Sequence, residues 1–114
     1  MVRIGDRISI QFEDGKEKSV VFFSHWRGVE FLKEVERYVE VLKSEVNGRV
    51  TMPLDRLEPD TVMVDFIRYI TKNMRRVTND LYLGKDEFDG DNSDNGHFII
   101  DLLGRFKTII RKRR

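Results

Sequence analysis

Two apolar runs that flank an Asp-Gly pair near the N-terminus constrain the fold of this chain more than any other feature. In the first run, ISIQFE, apolar and polar residues alternate, which is the period of a strand buried on one face. Asp14-Gly15 is a favoured two-residue turn, because both central positions of a type I′ turn need positive φ. The second run, residues 20–23, is almost wholly apolar, as expected for a strand nearer the sheet centre. The sequence therefore predicts a β-hairpin over residues 7–23.

After this hairpin the apolar residues recur at spacings of three and four, which predicts two helices with one buried face each. Ser24 is a candidate N-cap for the first helix, and Asn47-Gly48 is a suitable stop. Pro59 suits the first turn of the second helix. The predicted buried stripes are Phe31, Leu32, Val35, Tyr38, Val39, Leu42 and Val46, followed by Val62, Met63, Phe66, Ile67, Ile70 and Met74.

Three further strands are predicted in the C-terminal part of the chain. They are a short LYLG strand and a second hairpin, in which HFIIDLL and FKTIIRK are joined by a turn at Gly104-Arg105. The resulting order, ββααβββ, is typical of an α+β fold in which two helices pack on one face of a mostly antiparallel sheet. A chain of 114 residues is expected to form this as one domain spanning residues 1–114.

The composition excludes several classes of function. The chain has no cysteine, so disulfides, thiolate nucleophiles and cysteine-based zinc sites are absent. No stretch approaches 18 apolar residues and the first ten residues are charged and alternating, so we expect a cytoplasmic protein without a signal peptide. A net charge of +1 gives no global reason for binding nucleic acid. Abundant charges with a single glutamine, Gln11, favour a heat-adapted source.

The acidic segment DEFDGDNSDNGH, residues 86–97, is a candidate cation-binding loop. Residues 91–96 fit the start of a calcium loop, but the twelfth position is Leu102 and a strand follows, which excludes an EF-hand. A looser calcium or magnesium site remains open, with Asp89, Asp91, Ser93 and Asn95 as its oxygen ligands. The alternative is a polar loop whose side chains satisfy local backbone donors, in which case no cofactor is expected.

A second candidate site lies where the first hairpin passes into the first helix. Ser24, His25 and Trp26 occupy this junction, and Gly28 follows closely. Such junctions often expose backbone N–H groups that bind anions or ligands, while histidine supplies a base and tryptophan a stacking surface. In the alternative interpretation, Trp26 anchors the helix to the sheet and His25 makes a local hydrogen bond.

The second histidine, His97, closes the acidic loop and opens a strand. If that strand neighbours the one that ends near His25, the two imidazoles could meet beside the loop carboxylates. They would then position a water or bind a divalent ion, as in a metal-assisted hydrolase. No recognised catalytic motif accompanies the two histidines, so this enzyme hypothesis depends entirely on the strand order.

The C-terminal ten residues, RFKTIIRKRR, contain six basic side chains and no acidic one. A basic end of this kind can contact phosphates in nucleic acid. The alternative is a solvated chain end that adds solubility. The candidate nucleic-acid contacts are Arg105, Lys107, Arg111, Lys112, Arg113 and Arg114.

The stretches FFSHWRG, LYLGKDEFDGDNSDNGH and IIDLL together resemble a group of small archaeal and phage-borne proteins of unknown function. In that group a first hairpin ends in Tyr-Ser-His-Trp-Gly, and two helices and a Gly- and Asp/Asn-containing loop follow. This chain departs from the pattern by inserting Arg27 before Gly28. The group has no established activity, so the resemblance implies an uncharacterised stand-alone domain and transfers no residue role.

Taken together, these features favour a small binding or interaction module without catalysis. A homodimer formed through a sheet edge or a helix face is one expected arrangement. The alternatives are the metal-assisted hydrolase built on His25 and His97, and nucleic-acid binding through residues 105–114.

Overall fold

The computed structural model describes residues 6–47, 58–74, 81–85, 95–102 and 108–111. These residues form five strands and two helices in the predicted order, ββααβββ, which confirms the α+β fold. The elements are β1 (Ile8–Glu13), β2 (Val21–Ser24), α1 (Gly28–Asn47), α2 (Pro59–Asn73), β3 (Leu81–Gly84), β4 (His97–Asp101) and β5 (Thr108–Arg111).

The five strands form one sheet in the order β3-β2-β1-β4-β5. The strands of both predicted hairpins pair antiparallel, β2 with β1 and β5 with β4. The turn predicted at Gly104-Arg105 lies outside the described residues. The β2–β3 pairing is also antiparallel, so the sheet is mostly antiparallel as predicted. The pairing that joins the two hairpins, β1 with β4, is parallel. It places β1, the first strand in the sequence, at the centre of the sheet.

Both helices pack on one face of this sheet and enclose the hydrophobic core. The core takes Ile8, Ile10 and Phe12 from β1, and the predicted stripes of both helices turn towards them, except for Val46, whose side chain is not among those described. Phe66 of α2 lies at its centre, with its ring centroid 5.9 Å from that of Phe12. The same ring contacts Phe22 of β2. This ring cluster connects α2 to the central strand β1 and to its neighbour β2.

The first hairpin reverses later than predicted. The chain turns over Asp14–Glu17, where the backbone N–H of Asp14 donates to the Glu17 carbonyl. Gly15 takes a φ of 90°, which only glycine adopts at low cost. The Asp14 carboxylate accepts the backbone N–H groups of Glu17 and Lys16, and these bonds lower the pKa of Asp14 below its ordinary 3.8. Asp14 therefore stabilises the turn through its side chain and is not one of its two central residues.

Strand β1 is buried on both faces, although its alternating sequence predicts a half-buried strand. Ile8, Ile10 and Phe12 face the helices, while Ser9 and Gln11 lie on the opposite face and are only 0% and 5% exposed. We call this opposite side the second face of the sheet. The prediction was wrong because alternation shows which residues face the helices but not whether the other side is solvated.

The helices begin and end close to the predicted positions. Pro59 is the first residue of α2, where its missing N–H costs nothing, and α1 ends at Asn47. Ion pairs join neighbouring turns of α1, with Arg37 Nη1 2.8 Å from Glu34 Oε1 and Lys43 Nζ 3.4 Å from Glu40 Oε1. Neither α1 nor α2 combines the length and the apolar character needed to cross a membrane, in the part of the chain that the structure describes.

Replacing Phe66 with alanine should destabilise the protein by about 3–5 kcal/mol, because it removes a fully buried ring and leaves a cavity. Urea denaturation followed by circular dichroism measures the loss. Val64→Ala is the matched control on the same helix, since Val64 is exposed and its truncation should change the free energy of unfolding by only about 0.5 kcal/mol. Equal effects of the two substitutions would contradict the central position of Phe66.

Candidate functional site

The junction between the first hairpin and α1 is organised by Asp6, a residue that the sequence patterns did not single out. Its backbone N–H donates to the His25 carbonyl at 2.8 Å, and its own carbonyl accepts the Gly28 N–H at 2.7 Å. Its carboxylate accepts the Val29 N–H through Oδ2 and the Asn95 amide through Oδ1. One acidic residue therefore connects β1, the start of α1 and the turn before β4. A carboxylate at a helix N-terminus is also electrostatically favourable.

Gly28 is required at this junction because three segments meet there. A Cβ built on Gly28 would lie 2.4 Å from Asn95 Nδ2 and 2.7 Å from the Asp6 carbonyl oxygen. Both distances are far shorter than any normal carbon contact, and the carbonyl is fixed backbone. The glycine in the Ser-His-Trp segment therefore has a packing role, which allows α1 to approach Asp6 and Asn95.

Asn95, a predicted metal ligand, takes part in this junction. Its Nδ2 donates to the Arg7 carbonyl at 2.6 Å and to Asp6 at 2.8 Å. Both bonds use the amide nitrogen, whereas a cation would be bound by the amide oxygen. The other predicted ligands, Asp89, Asp91 and Ser93, lie outside the described residues. Among the residues that are described, no three His, Asp or Glu side chains are grouped so as to hold a metal.

The start of α1 does not offer the anion site that its sequence suggested. The Arg27 N–H is bonded to Ser24 Oγ at 3.3 Å, and the next two N–H groups are bonded to Asp6. Ser24 therefore closes the turn before the helix and is not its N-cap, because α1 begins at Gly28 and the Asp6 carboxylate binds its first turn. These internal bonds occupy the donors that an anion would need.

The surface left at this junction is aromatic. Trp26 is 66% exposed and makes no hydrogen bond or ring contact within the described residues, so it does not anchor the helix as the alternative interpretation held. His25 is also exposed, and its ring stacks on Tyr82 with centroids 5.2 Å apart. Its Nε2 lies 2.9 Å from the Tyr82 hydroxyl, so the hydrogen bond of this ring reaches β3 and is not the local one of the alternative interpretation. Tyr82 stacks in turn on Phe23. We call His25, Trp26 and Tyr82 the Trp26 surface.

His97 lies on the second face of the sheet within a buried polar cluster. Its Nδ1 is 2.7 Å from Ser9 Oγ, and its Nε2 is 3.3 Å from Gln11 Oε1. The Gln11 amide nitrogen donates to the Ser19 carbonyl, which directs the amide oxygen towards His97. Because an amide oxygen can only accept, Nε2 carries a proton, and in the neutral ring Nδ1 accepts from the Ser9 hydroxyl.

This cluster has the order of a nucleophile, a base and an orienting group, but it has no exposed surface. Ser9 is 0% and His97 1% exposed, so a substrate cannot reach the hydroxyl in this structure. Its evident role is to pair polar side chains of adjacent strands, since Ser9 and His97 are direct cross-strand neighbours. Each buried polar group thereby gains a hydrogen-bonding partner.

The structure does not bring the two histidines together. The strand order places β1 between β2 and β4, so the condition for a shared His25–His97 site is not met. Their backbones are two strand spacings apart, roughly 10 Å. Each ring also has different partners, Tyr82 for His25 and residues of β1 for His97.

The basic C-terminal residues are only partly described. The backbone of Arg111 ends β5 and is paired in register with His97. The remaining candidate nucleic-acid contacts lie outside the described residues: Arg105, Lys107, Lys112, Arg113 and Arg114.

Several residues of this region were not identified from the sequence as parts of a site. Asp6 and Tyr82 carry no motif, and only the tertiary structure shows their contacts. Ser9 and Gln11 could have been identified from the sequence as members of a buried polar cluster, because polar residues at alternate positions of a central strand need hydrogen-bonding partners. The alternation was instead interpreted as evidence of a solvated face.

No protein-family model, curated protein or solved structure matches this chain in the comparisons made. The resemblance to the small archaeal and phage-borne group therefore stays a prediction that is based on short motifs.

Replacing Gly28 with alanine should destabilise the protein by about 1–3 kcal/mol, because the new methyl group displaces Asn95 or the start of α1. Chemical denaturation measures this change in the free energy of unfolding. Val29→Ala is the neighbouring control, since Val29 is exposed and its backbone bond to Asp6 is retained. A Gly28→Ala protein as stable as this control would show that the junction opens without cost.

Replacing Ser9 with alanine should cost about 1–3 kcal/mol of stability, because it removes the hydroxyl that pairs with the buried His97 ring. Ser44→Ala serves as the control at an exposed serine of α1 and should be close to neutral. Urea unfolding at neutral pH compares the two. If Ser9→Ala matched the control, the polar cluster would contribute nothing to the central pairing of β1 with β4.

Proposed function

We propose that this protein is a non-catalytic binding module that contacts a macromolecular partner through the Trp26 surface. The observation that supports this proposal is the exposure of Trp26, the only tryptophan of the chain. The core residues around the helices are at most 6% exposed, and Trp26 is the most exposed of the large hydrophobic residues that the structure describes. An indole left two-thirds in water, on the residue that follows His25 in the chain, is typical of an interaction site.

The energetics favour the same interpretation. Burying the exposed part of the Trp26 side chain against a partner would contribute about 3 kcal/mol, at roughly 25 cal/mol for each Å² removed from water. Tryptophan and tyrosine are also enriched among the residues that dominate binding energy in protein interfaces. The hydrogen bond and the ring stack between His25 and Tyr82 fix those two rings in advance, which lowers the entropy lost on binding.

The position of the surface supports a binding role as well. Trp26 lies between the end of β2 and the start of α1. The backbone of Asp6 is hydrogen-bonded to His25 on one side of Trp26 and to Gly28 on the other, which fixes both elements in place. A side chain on such a support can be presented to a partner without reorganisation of the backbone. The metal-assisted hydrolase lacks comparable support, since His25 follows β2, His97 opens β4, and β1 lies between these two strands.

Replacing Trp26 with alanine should weaken binding of the partner roughly 10- to 100-fold, as expected for a residue that dominates an interface. Wild-type protein, Trp26→Ala and Val64→Ala are immobilised side by side and exposed to cell extract. Macromolecules that the wild type and Val64→Ala retain, and that Trp26→Ala loses, are purified, and their dissociation constants are measured by calorimetry.

Val64 is the appropriate control because it is an exposed apolar residue of α2, away from the junction. Its truncation tests whether any loss of exposed apolar surface reduces retention. A partner that bound the wild type and Trp26→Ala with equal affinity would contradict the proposed surface. Circular dichroism of each variant confirms that the comparison is between folded proteins.

A further inference from the structure

Strand β3 forms one edge of the sheet. In the order β3-β2-β1-β4-β5 its only neighbour among the described strands is β2. Two of its side chains are exposed large apolar groups, Tyr82 at 36% and Leu83 at 49%. An edge strand presents backbone N–H and C=O groups that pair readily with a strand of another chain. The β3 edge is therefore a candidate surface for binding an extended segment.

The backbone of Leu83 points outwards from this edge. The Phe12 carbonyl of β1 accepts the N–H of Ser19, in the segment that leads into β2, so the even-numbered residues of β1 bond towards β2. Because the direction alternates along a strand, Ile10 bonds to its partner Phe22. The backbone of Phe22 thus faces β1, and its pair with Leu83 in β3 is a non-hydrogen-bonded one. The N–H and C=O groups of Leu83 consequently face away from β2, and neither is bonded to a residue that the structure describes.

We propose that this edge pairs with the same edge of a second copy of the chain, β3 against β3 in antiparallel order, with a two-fold axis at Leu83. The N–H of each Leu83 then donates to the carbonyl of the other, and the two five-stranded sheets continue into one another. This inference goes beyond the proposed function, because it assigns a partner to the sheet edge and not to Trp26.

The residues beside Leu83 suit such self-pairing. With Leu83 on the axis, Tyr82 of each copy lies opposite Gly84 of the other, since both are one position from the axis. The rings that stack on Tyr82 belong to Phe23 of β2 and to His25, which follows β2, so the other side of the Tyr82 ring faces the free edge. Glycine has no side chain to obstruct that ring, and aromatic side chains compensate for glycine in edge strands.

The Leu83 side chain is also self-complementary at this position. Its cross-strand neighbour Phe22 belongs to the core, so Leu83 lies on the helical side of the sheet. Directly opposed residues of an antiparallel pair share a face, with Cβ atoms about 5 Å apart. The two half-exposed Leu83 side chains therefore cover each other across the axis. A second copy supplies this match and the match of Tyr82 with Gly84 by symmetry alone.

Charge does not oppose the association. The four residues of β3, LYLG, include no charged residue and no proline, the residue types that usually protect an edge from pairing. The whole chain carries a net charge of +1, so two copies repel each other only weakly.

The short edge makes the dimer a weak and reversible one. Two paired four-residue strands bury less than the roughly 1,200 Å² at the lower end of stable interfaces. A dimer nevertheless presents two Trp26 surfaces, one from each copy. A partner with two matching sites then gains avidity without any new contact.

Sedimentation velocity between about 10 µM and 1 mM tests the dimer, because weak complexes dissociate over this range. The wild type should shift from monomer to dimer with concentration. Leu83→Lys should weaken association at least roughly 10-fold, since it sets two like charges directly opposite each other. The controls are Val41→Lys, which adds the same charge at an exposed position of α1, and Trp26→Ala. Both controls should associate like the wild type, and circular dichroism confirms that each variant is folded.

Disulfide cross-linking tests the register independently, because the chain has no cysteine of its own. In Leu83→Cys the two Cα atoms at the axis are about 5.5 Å apart, which a disulfide spans. Lys85→Cys is the matched control just beyond the same strand, where the two Cα atoms are roughly 14 Å apart. Mild oxidation should convert Leu83→Cys to a covalent dimer and leave Lys85→Cys largely monomeric on a non-reducing gel.

The inference is overturned if the wild type stays monomeric at 1 mM, or if Leu83→Lys associates as strongly as the wild type. Equal cross-linking of Leu83→Cys and Lys85→Cys overturns it as well, because it would show unspecific collisions. A dimer that Trp26→Ala abolishes and Leu83→Lys does not would assign the second copy to the Trp26 surface instead. A monomeric wild type that still retains a macromolecule through Trp26 leaves the proposed function standing without the dimer.

Discussion

Strand β1 must be buried on both faces, and the rest of the structure depends on how this constraint is met. As the central strand it contributes apolar residues to the helical core on one side and Ser9 and Gln11 to the second face. A buried hydroxyl or amide without a partner would cost more than an ordinary hydrogen bond contributes. His97, brought alongside by the parallel pairing with β4, joins the two polar side chains. The same pairing connects the two hairpins into a single sheet.

The hydrogen bonds of Asp6 connect this sheet to the helical layer. Both backbone groups and both carboxylate oxygens of Asp6 take part, and their partners lie at the end of β2, at the start of α1 and at Asn95. These bonds engage the Gly28 and Val29 N–H groups at the start of α1. The rings presented to solvent there, Trp26 and His25, are the observation behind the proposed binding role.

Much of the fold could be predicted from local patterns. Alternation over residues 8–12 and the spacing of three and four in the helices reflect which side chains face the core, and the buried residues match those stripes closely. The parallel pairing of β1 with β4 could not be predicted in this way, since it joins residues almost ninety positions apart through contacts that no local pattern encodes. The burial of Ser9 and Gln11 was missed for the same reason.

The candidate site, like the fold, has features that the sequence indicated and features that depend on contacts between distant segments. The Ser-His-Trp segment was recognisable as a junction with unusual residues, but Asn95 and Gly28 could have served a ligand or the packing equally well in the sequence. The contact between them, too close for a Cβ, shows a packing role.

The sequence by itself determined the order of strands and helices and the residues that form the core, because periodicity records the side of each element that is withdrawn from water. Only the tertiary structure decided that β1 separates the strand before His25 from the strand that His97 opens. It also decided that Trp26 remains exposed while Asp6 binds the backbone on either side of it. Those outcomes follow from strand order and from contacts between distant segments, which the periodicity within a single element does not specify.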